Sequence, residues 1–235
     1  PTGADRLAWV PDLAWALAET GRTGEALRLL ADAAAAISET EDELGWHRVQ
    51  AERLLFELDY GSPPPQDEGL AVARAAAVAA EAAHDEAALA RALTVTGRLH
   101  AAVAPVDLVA ARDSFERACD AAHRSGDIGV LRDAENYLGG LYCWAAFPID
   151  DAVAFCERSR CINEFGDRLL WAYGQTTVYA RRHAFRGEFD EARTVLDRAE
   201  GVFRELGSAL GRGYVIVVRA EVSLLAGDGD ALRAV

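Results

Sequence analysis

Residues 185–207 read FRGEFDEARTVLDRAEGVFRELG, and residues 18–38 read AETGRTGEALRLLADAAAAIS. Both run Gly, a short polar turn, Glu-Ala, and then apolar residues at helical spacing. Within each helix the order is small, three residues, large apolar, two residues, small: Ala192/Leu196/Ala199 and Ala26/Leu30/Ala33. The same order returns as Ala111/Phe115/Ala118 and Ala152/Cys156/Ser159, more weakly as Val72/Ala76/Ala79, and Ala231 opens one more copy. The anchors at 26, 72, 111, 152, 192 and 231 are separated by 46, 39, 41, 40 and 39 residues. Self-similarity at this period predicts a stacked repeat architecture. The long first interval holds GSPPPQ at 61–66, a Pro-rich loop able to absorb the extra residues.

A period near 40 leaves room for two helices and two short turns, an αα-hairpin per unit. Nothing reads as strand. First helices are expected over 4–19, 44–59, 85–103, 129–146, 168–186 and 208–226, and second helices over 24–39, 67–83, 106–124, 149–165 and 188–206. Pro105 and Pro148 are expected to start second helices, where a missing N–H is harmless. Asp150, Asp151, Asp190 and Glu191 suit first turns, where the helix dipole favours negative charge. Gly126-Asp127, Gly166-Asp167 and Gly207-Ser208 combine a left-handed cap with a capping side chain for the next helix. The expected fold is therefore all-α: a right-handed α-solenoid of about five and a half hairpins forming a single domain over 1–235.

Composition narrows the function. The net charge of −14, from 24 basic and 38 acidic side chains, repels a phosphate backbone, so no direct nucleic-acid partner is expected. Apolar runs fall short of the ~20 residues that span a bilayer, and the N-terminal stretch lacks the pattern of a secretory signal. No membrane partner is expected, and the cytoplasm is the expected compartment. Cys119, Cys143, Cys156 and Cys161 lack the close pairs of a zinc site or disulfide framework and read as small buried residues. With no methionine, a start at Pro1 and a stop just after a new copy opens, the chain is expected to be a piece of a longer protein.

RGEFDEARTVLDRAEGVF and ETGRTGEALRLLADAAAAI resemble tetratricopeptide repeats (TPRs), with units of about 40 residues in place of ~34. More specifically, LGGLYCWAAFPIDDAVAFCERS, ARRHAFRGEFDEARTVLDRAEGVFRELG and AEVSLLAGDGDAL resemble the C-terminal repeat arm of large actinobacterial regulators. In that family the arm follows a STAND-type ATPase with a nucleotide cyclase or transcriptional activator domain. The resemblance implies a regulatory arm that docks a protein partner or the upstream domains of its own chain. It implies a concave groove built from first helices, and the inward-facing positions carry over to Arg98, Tyr137, Leu141, Trp144, Thr177, Arg181 and Phe185.

Two rival functions use other residues. A metabolite sensor would bind a small-molecule effector on the same concave aromatics and arginines. A metal-dependent enzyme would use Glu81/His84 and Asp120/His123, carboxylate and His three apart on one helix face. The histidines are 39 residues apart, which reads as equivalent positions in successive units and not as facing ligands. Asp150-Asp151 reads as first-turn charge, and Arg181-Arg182-His183 as a solvated edge. No phosphate loop, nucleophile elbow or H-E-x-x-H occurs, and Gly139-Gly140 lies in a helical pattern that suits close packing or a kink. No catalytic residue, cofactor or metal is expected.

Overall fold

The computed structural model describes residues 10–19, 22–36, 42–144 and 147–229. Every regular element among them is helical, and the chain divides into two compact units, Pro1–Leu138 and Gly139–Val235. The first unit holds α1 (Val10–Glu19), α2 (Thr23–Ala36), α3 (Glu43–Tyr60), α4 (Gln66–Ala82), α5 (Glu86–Ala102) and α6 (Leu108–Ser125). The boundary falls inside α7 (Ile128–Trp144). The second unit adds α8 (Ile149–Arg158), α9 (Arg160–Asn163), α10 (Arg168–Gly174), a π turn (Gln175–Tyr179), α11 (Ala180–Phe185), α12 (Phe189–Glu205) and α13 (Ala209–Leu225).

Within the first unit, from α1 to α6, each helix packs on the next, and α3 also packs on α1 and α5. In the second unit α12 packs on α10, α11 and α13, while α11 also touches α13. A pair of amphipathic helices leaves an apolar stripe that a further helix must cover, which is why next-but-one helices meet. The stripe is built from the expected residues: Ala26, Leu30, Ala111, Phe115, Ala118, Ala152, Cys156, Ala192, Leu196 and Ala199 are all buried. Large side chains on these helices enter gaps left by glycine on the neighbouring helix: the Phe115 ring lies against Gly97, Phe155 against Gly139 and Phe203 against Gly211.

The turns are closed by a recurring pair of residues. Gly126, Gly166 and Gly207 are left-handed, at φ of 71°, 66° and 71°. The next residue caps the following helix: Asp127 accepts from the Gly129 and Val130 amides, Asp167 from Leu169 and Leu170, and Ser208 from Gly211. His84-Asp85 does the same after α4, with His84 itself at φ 54° and Asp85 accepting from the Ala88 amide.

Four expectations need correction. Val72 is only partly buried, while Ala76 and Ala79 of the same triplet are buried with Gly69, Ala73 and Ala80 on the core face of α4. Pro105 does not start a helix: α6 begins at Leu108 because the Asp107 carboxylate satisfies the Val109 and Ala110 amides. The single helix over 149–165 is broken at Ser159, whose hydroxyl caps α9, while the Asn163 amide group donates to the carbonyls of Cys156, Glu157 and Ser159. The helix over 168–186 is interrupted by the π turn. The stretches over 4–9 and 37–39, residues 145–146 and Ala231 lie outside the described residues.

Candidate functional site

In the first unit α3, α5 and α7 carry two polar ladders one above the other. The Arg91 guanidinium reaches Glu52 at 2.7 Å and Asp133 at 2.8 Å, joining three helices. Burial alone would lower the Arg91 pKa, but the charges of Glu52 and Asp133 outweigh it, and the guanidinium is held more firmly protonated than usual. Two turns further along α3 and α5, Asp59 pairs with Arg98 through one carboxylate oxygen and accepts the Tyr137 hydroxyl at 2.5 Å through the other. The Arg98 guanidinium stands 5.0 Å from the centroid of the Tyr137 ring, which is stacked at 6.0 Å on Phe115. Burial first, then the charge of Asp59, raises the Tyr137 phenol above its ordinary pKa.

In the second unit Arg181 makes a two-pronged pair with Glu221, at 2.7 and 2.8 Å. His183 Nδ1 lies 2.6 Å from Glu188, so Arg181 and His183 of the run Arg181-Arg182-His183 each stand against an acid. Thr177 is 2% exposed and its hydroxyl donates to the Tyr173 carbonyl, while Leu141 is 8% exposed. Neither presents a side chain to a partner in this conformation. Phe185 is 63% exposed. The Trp144 side chain lies outside the described residues.

The seven groove candidates thus sort by environment. Arg98 and Tyr137 are brought together, but on Asp59. Arg181 is occupied by Glu221. Leu141 and Thr177 belong to the core, and Phe185 stands open. Arginines already paired to carboxylates offer little to an anionic ligand, because breaking a half-buried pair costs more than a new surface contact returns.

The reading of His84 and His123 as equivalent positions is corrected as well. His84 occupies the left-handed residue that Gly126 supplies after α6, whereas His123 lies in the last turn of α6, 3.9 Å from Glu135. They are not equivalent positions. Among the described residues no three His, Cys, Asp or Glu side chains converge as a metal site would need. Asp150 and Asp151 sit in the first turn of α8 as expected, and Gly139 permits close packing of Phe155. Cys156 and Cys161 are buried and Cys119 partly so.

One feature had no signal in the repeat pattern. A shallow cleft beside the α5–α6 loop is lined by Gln66, His100, Pro105, Val106, Asp107, Leu108 and Val109. Gln66 ties that loop down by donating to the carbonyls of Leu99, Val103 and Pro105. A second unforeseen feature is the apolar outer face of α13, where Ile216, Val217 and Leu224 are exposed at 52%, 46% and 69%. Among the described residues no helix is long and apolar enough to cross a membrane. No protein-family model matches the chain, and a search of the curated proteins finds no match either.

Proposed function

We propose that this chain is a non-catalytic TPR-like α-solenoid arm that binds an amphipathic helix, from a protein partner or from another domain of the same polypeptide, in a cytoplasmic bacterial regulator. The observation that carries it is the open face of α13. Gly213, Ile216, Val217 and Leu224 are exposed there, while the residues at the same places on the segment Arg168–Phe185, Ala172, Thr176, Thr177 and Ala184, are buried. Among the described residues nothing covers this face, whose spacing would receive a helix patterned like Ala192/Leu196/Ala199.

The solenoid of about five and a half hairpins is supported by the recurring left-handed residue and cap, and by side-chain pairs one hairpin apart: Arg98 with Asp59 at a separation of 39, Arg181 with Glu221 at 40 and Arg91 with Asp133 at 42. The test is a fluorescence-anisotropy titration with a labelled peptide of sequence Phe189–Glu205. Saturable binding weakened about tenfold or more by Val217→Asp or Leu224→Asp is expected, since either substitution forfeits at least ~1.4 kcal/mol of apolar burial. Absence of binding, or binding indifferent to both substitutions, would refute the proposal.

A further inference from the structure

The segment Arg168–Phe185 differs from α13 in length by a single residue, and the π turn lies where that residue is absorbed. Gly166 and Gly187, both left-handed, bracket the first segment and are 21 residues apart; Gly207 and Gly227, also left-handed, bracket α13 and are 20 apart. The side chains record where the difference enters. Before the π turn the two helices correspond at a separation of 41: the rings of Tyr173 and Tyr214 meet at 5.6 Å, and both Gly174 and Val215 are buried. After it they correspond at 40: Arg181 pairs with Glu221, and both Val178 and Val218 are buried.

We infer that Gln175–Tyr179 is a one-residue insertion stored as a π turn, and that its role is to hold Arg181 on Glu221 while Tyr173 stays on Tyr214. In an uninterrupted α-helix an extra residue rotates everything after it by about 100° and advances it by about 1.5 Å. Arg181 would then stand opposite Val222, which is buried, and a guanidinium would be driven into the core. The wide turn, closed by the Ala180 amide on the Gln175 carbonyl, spreads the extra residue over one loop of backbone and restores the register.

The local sequence suits this task. The Thr176 hydroxyl donates to the Ala172 carbonyl at 2.9 Å and the Thr177 hydroxyl to the Tyr173 carbonyl at 2.6 Å. Hydroxyl donors four residues on tend to bend a helix, which suits a segment whose backbone must widen. Both threonines are buried, and these bonds satisfy their hydroxyls there.

Deletion of Thr176 tests the inference. It should convert the segment to a regular helix, with Thr177 taking over the bond to Ala172. The urea midpoint should not fall, and the Arg181–Glu221 coupling, measured by a double-mutant cycle in the deleted background, should persist. Deletion of Val218 from α13, which has no spare residue, is the control and should lower the midpoint severely. The inference is overturned if removing Thr176 is as damaging as removing Val218, or if the Arg181–Glu221 coupling vanishes with the π turn.

Discussion

Gly97→Ala places one methyl group where the structure has no room for it. A Cβ at Gly97 would lie 2.6, 2.7 and 2.9 Å from three ring carbons of Phe115, against the ~3.5–4.0 Å of an ordinary carbon contact. The ring would have to retreat by about 1 Å. It is 1% exposed and stacked on Tyr137, which is itself tethered to Asp59, so retreat disturbs the polar ladder behind it. Overpacking of this kind costs ~1–3 kcal/mol. Alanine returns up to ~1 kcal/mol through its better helix propensity. The net expectation is a loss of about 1–2 kcal/mol, each kcal/mol being worth roughly 2–4 °C in Tm for a chain of this size. Gly201→Ala on α12 is the matched control: its Cβ meets nothing within 4 Å, so the same change should stabilise by about 0.5–1 kcal/mol. Urea unfolding of both variants checks the pair. In the Gly97→Ala background, Phe115→Leu should cost far less than it does alone. A Gly97→Ala protein as stable as Gly201→Ala would refute the tight glycine contact as the basis of hairpin packing.

Three further outcomes follow from single contacts. His84→Gly should raise stability by about 0.5–1 kcal/mol, because a left-handed residue costs ~1–2 kcal/mol with a Cβ and glycine gives back part of that in chain entropy; calorimetry decides it, and a loss would mean the imidazole holds the turn. Arg91→Met should cost about 3–5 kcal/mol by leaving the buried Glu52 without its guanidinium, and adding Glu52→Leu should recover most of it; a single-variant loss under about 1 kcal/mol would show that the triad is not a structural tie. The raised Tyr137 pKa favours the folded state while the phenol is neutral. Its contribution is full below the unfolded value of about 10 and is lost as pH rises through the folded value. Urea midpoints should therefore fall between about pH 9 and about pH 11, and less steeply in Tyr137→Phe; equal slopes would refute the coupling.

The core residues of second helices were legible because small-large-small spacing fixes which face two helices share. Ala111/Phe115/Ala118 and Ala192/Leu196/Ala199 are buried as that spacing requires. Alanine-rich α4 was not, since Val72 and Ala73 are both apolar and only contact with Leu99 at Gly69 selects the register. The groove candidates were hardest to place. Leu141 and Thr177 differ from surface positions by a rotation of tens of degrees. Arg98 and Arg181 lie in helices, but their partners Asp59 and Glu221 are 39 and 40 residues away in sequence.

The all-α class, the acidic first turns and the capped left-handed glycines could be read from the residues in chain order alone. These depend on residues within one or two helical turns of each other, where periodicity and backbone preference act directly. Tertiary structure decided the break at Ser159, the π turn at Gln175–Tyr179, the binding of each groove arginine to a carboxylate and the exposure of the α13 face. Each of these depends on which side chain of a neighbouring helix stands opposite. That register is fixed by packing between helices, and a single extra residue in one of them is enough to change it.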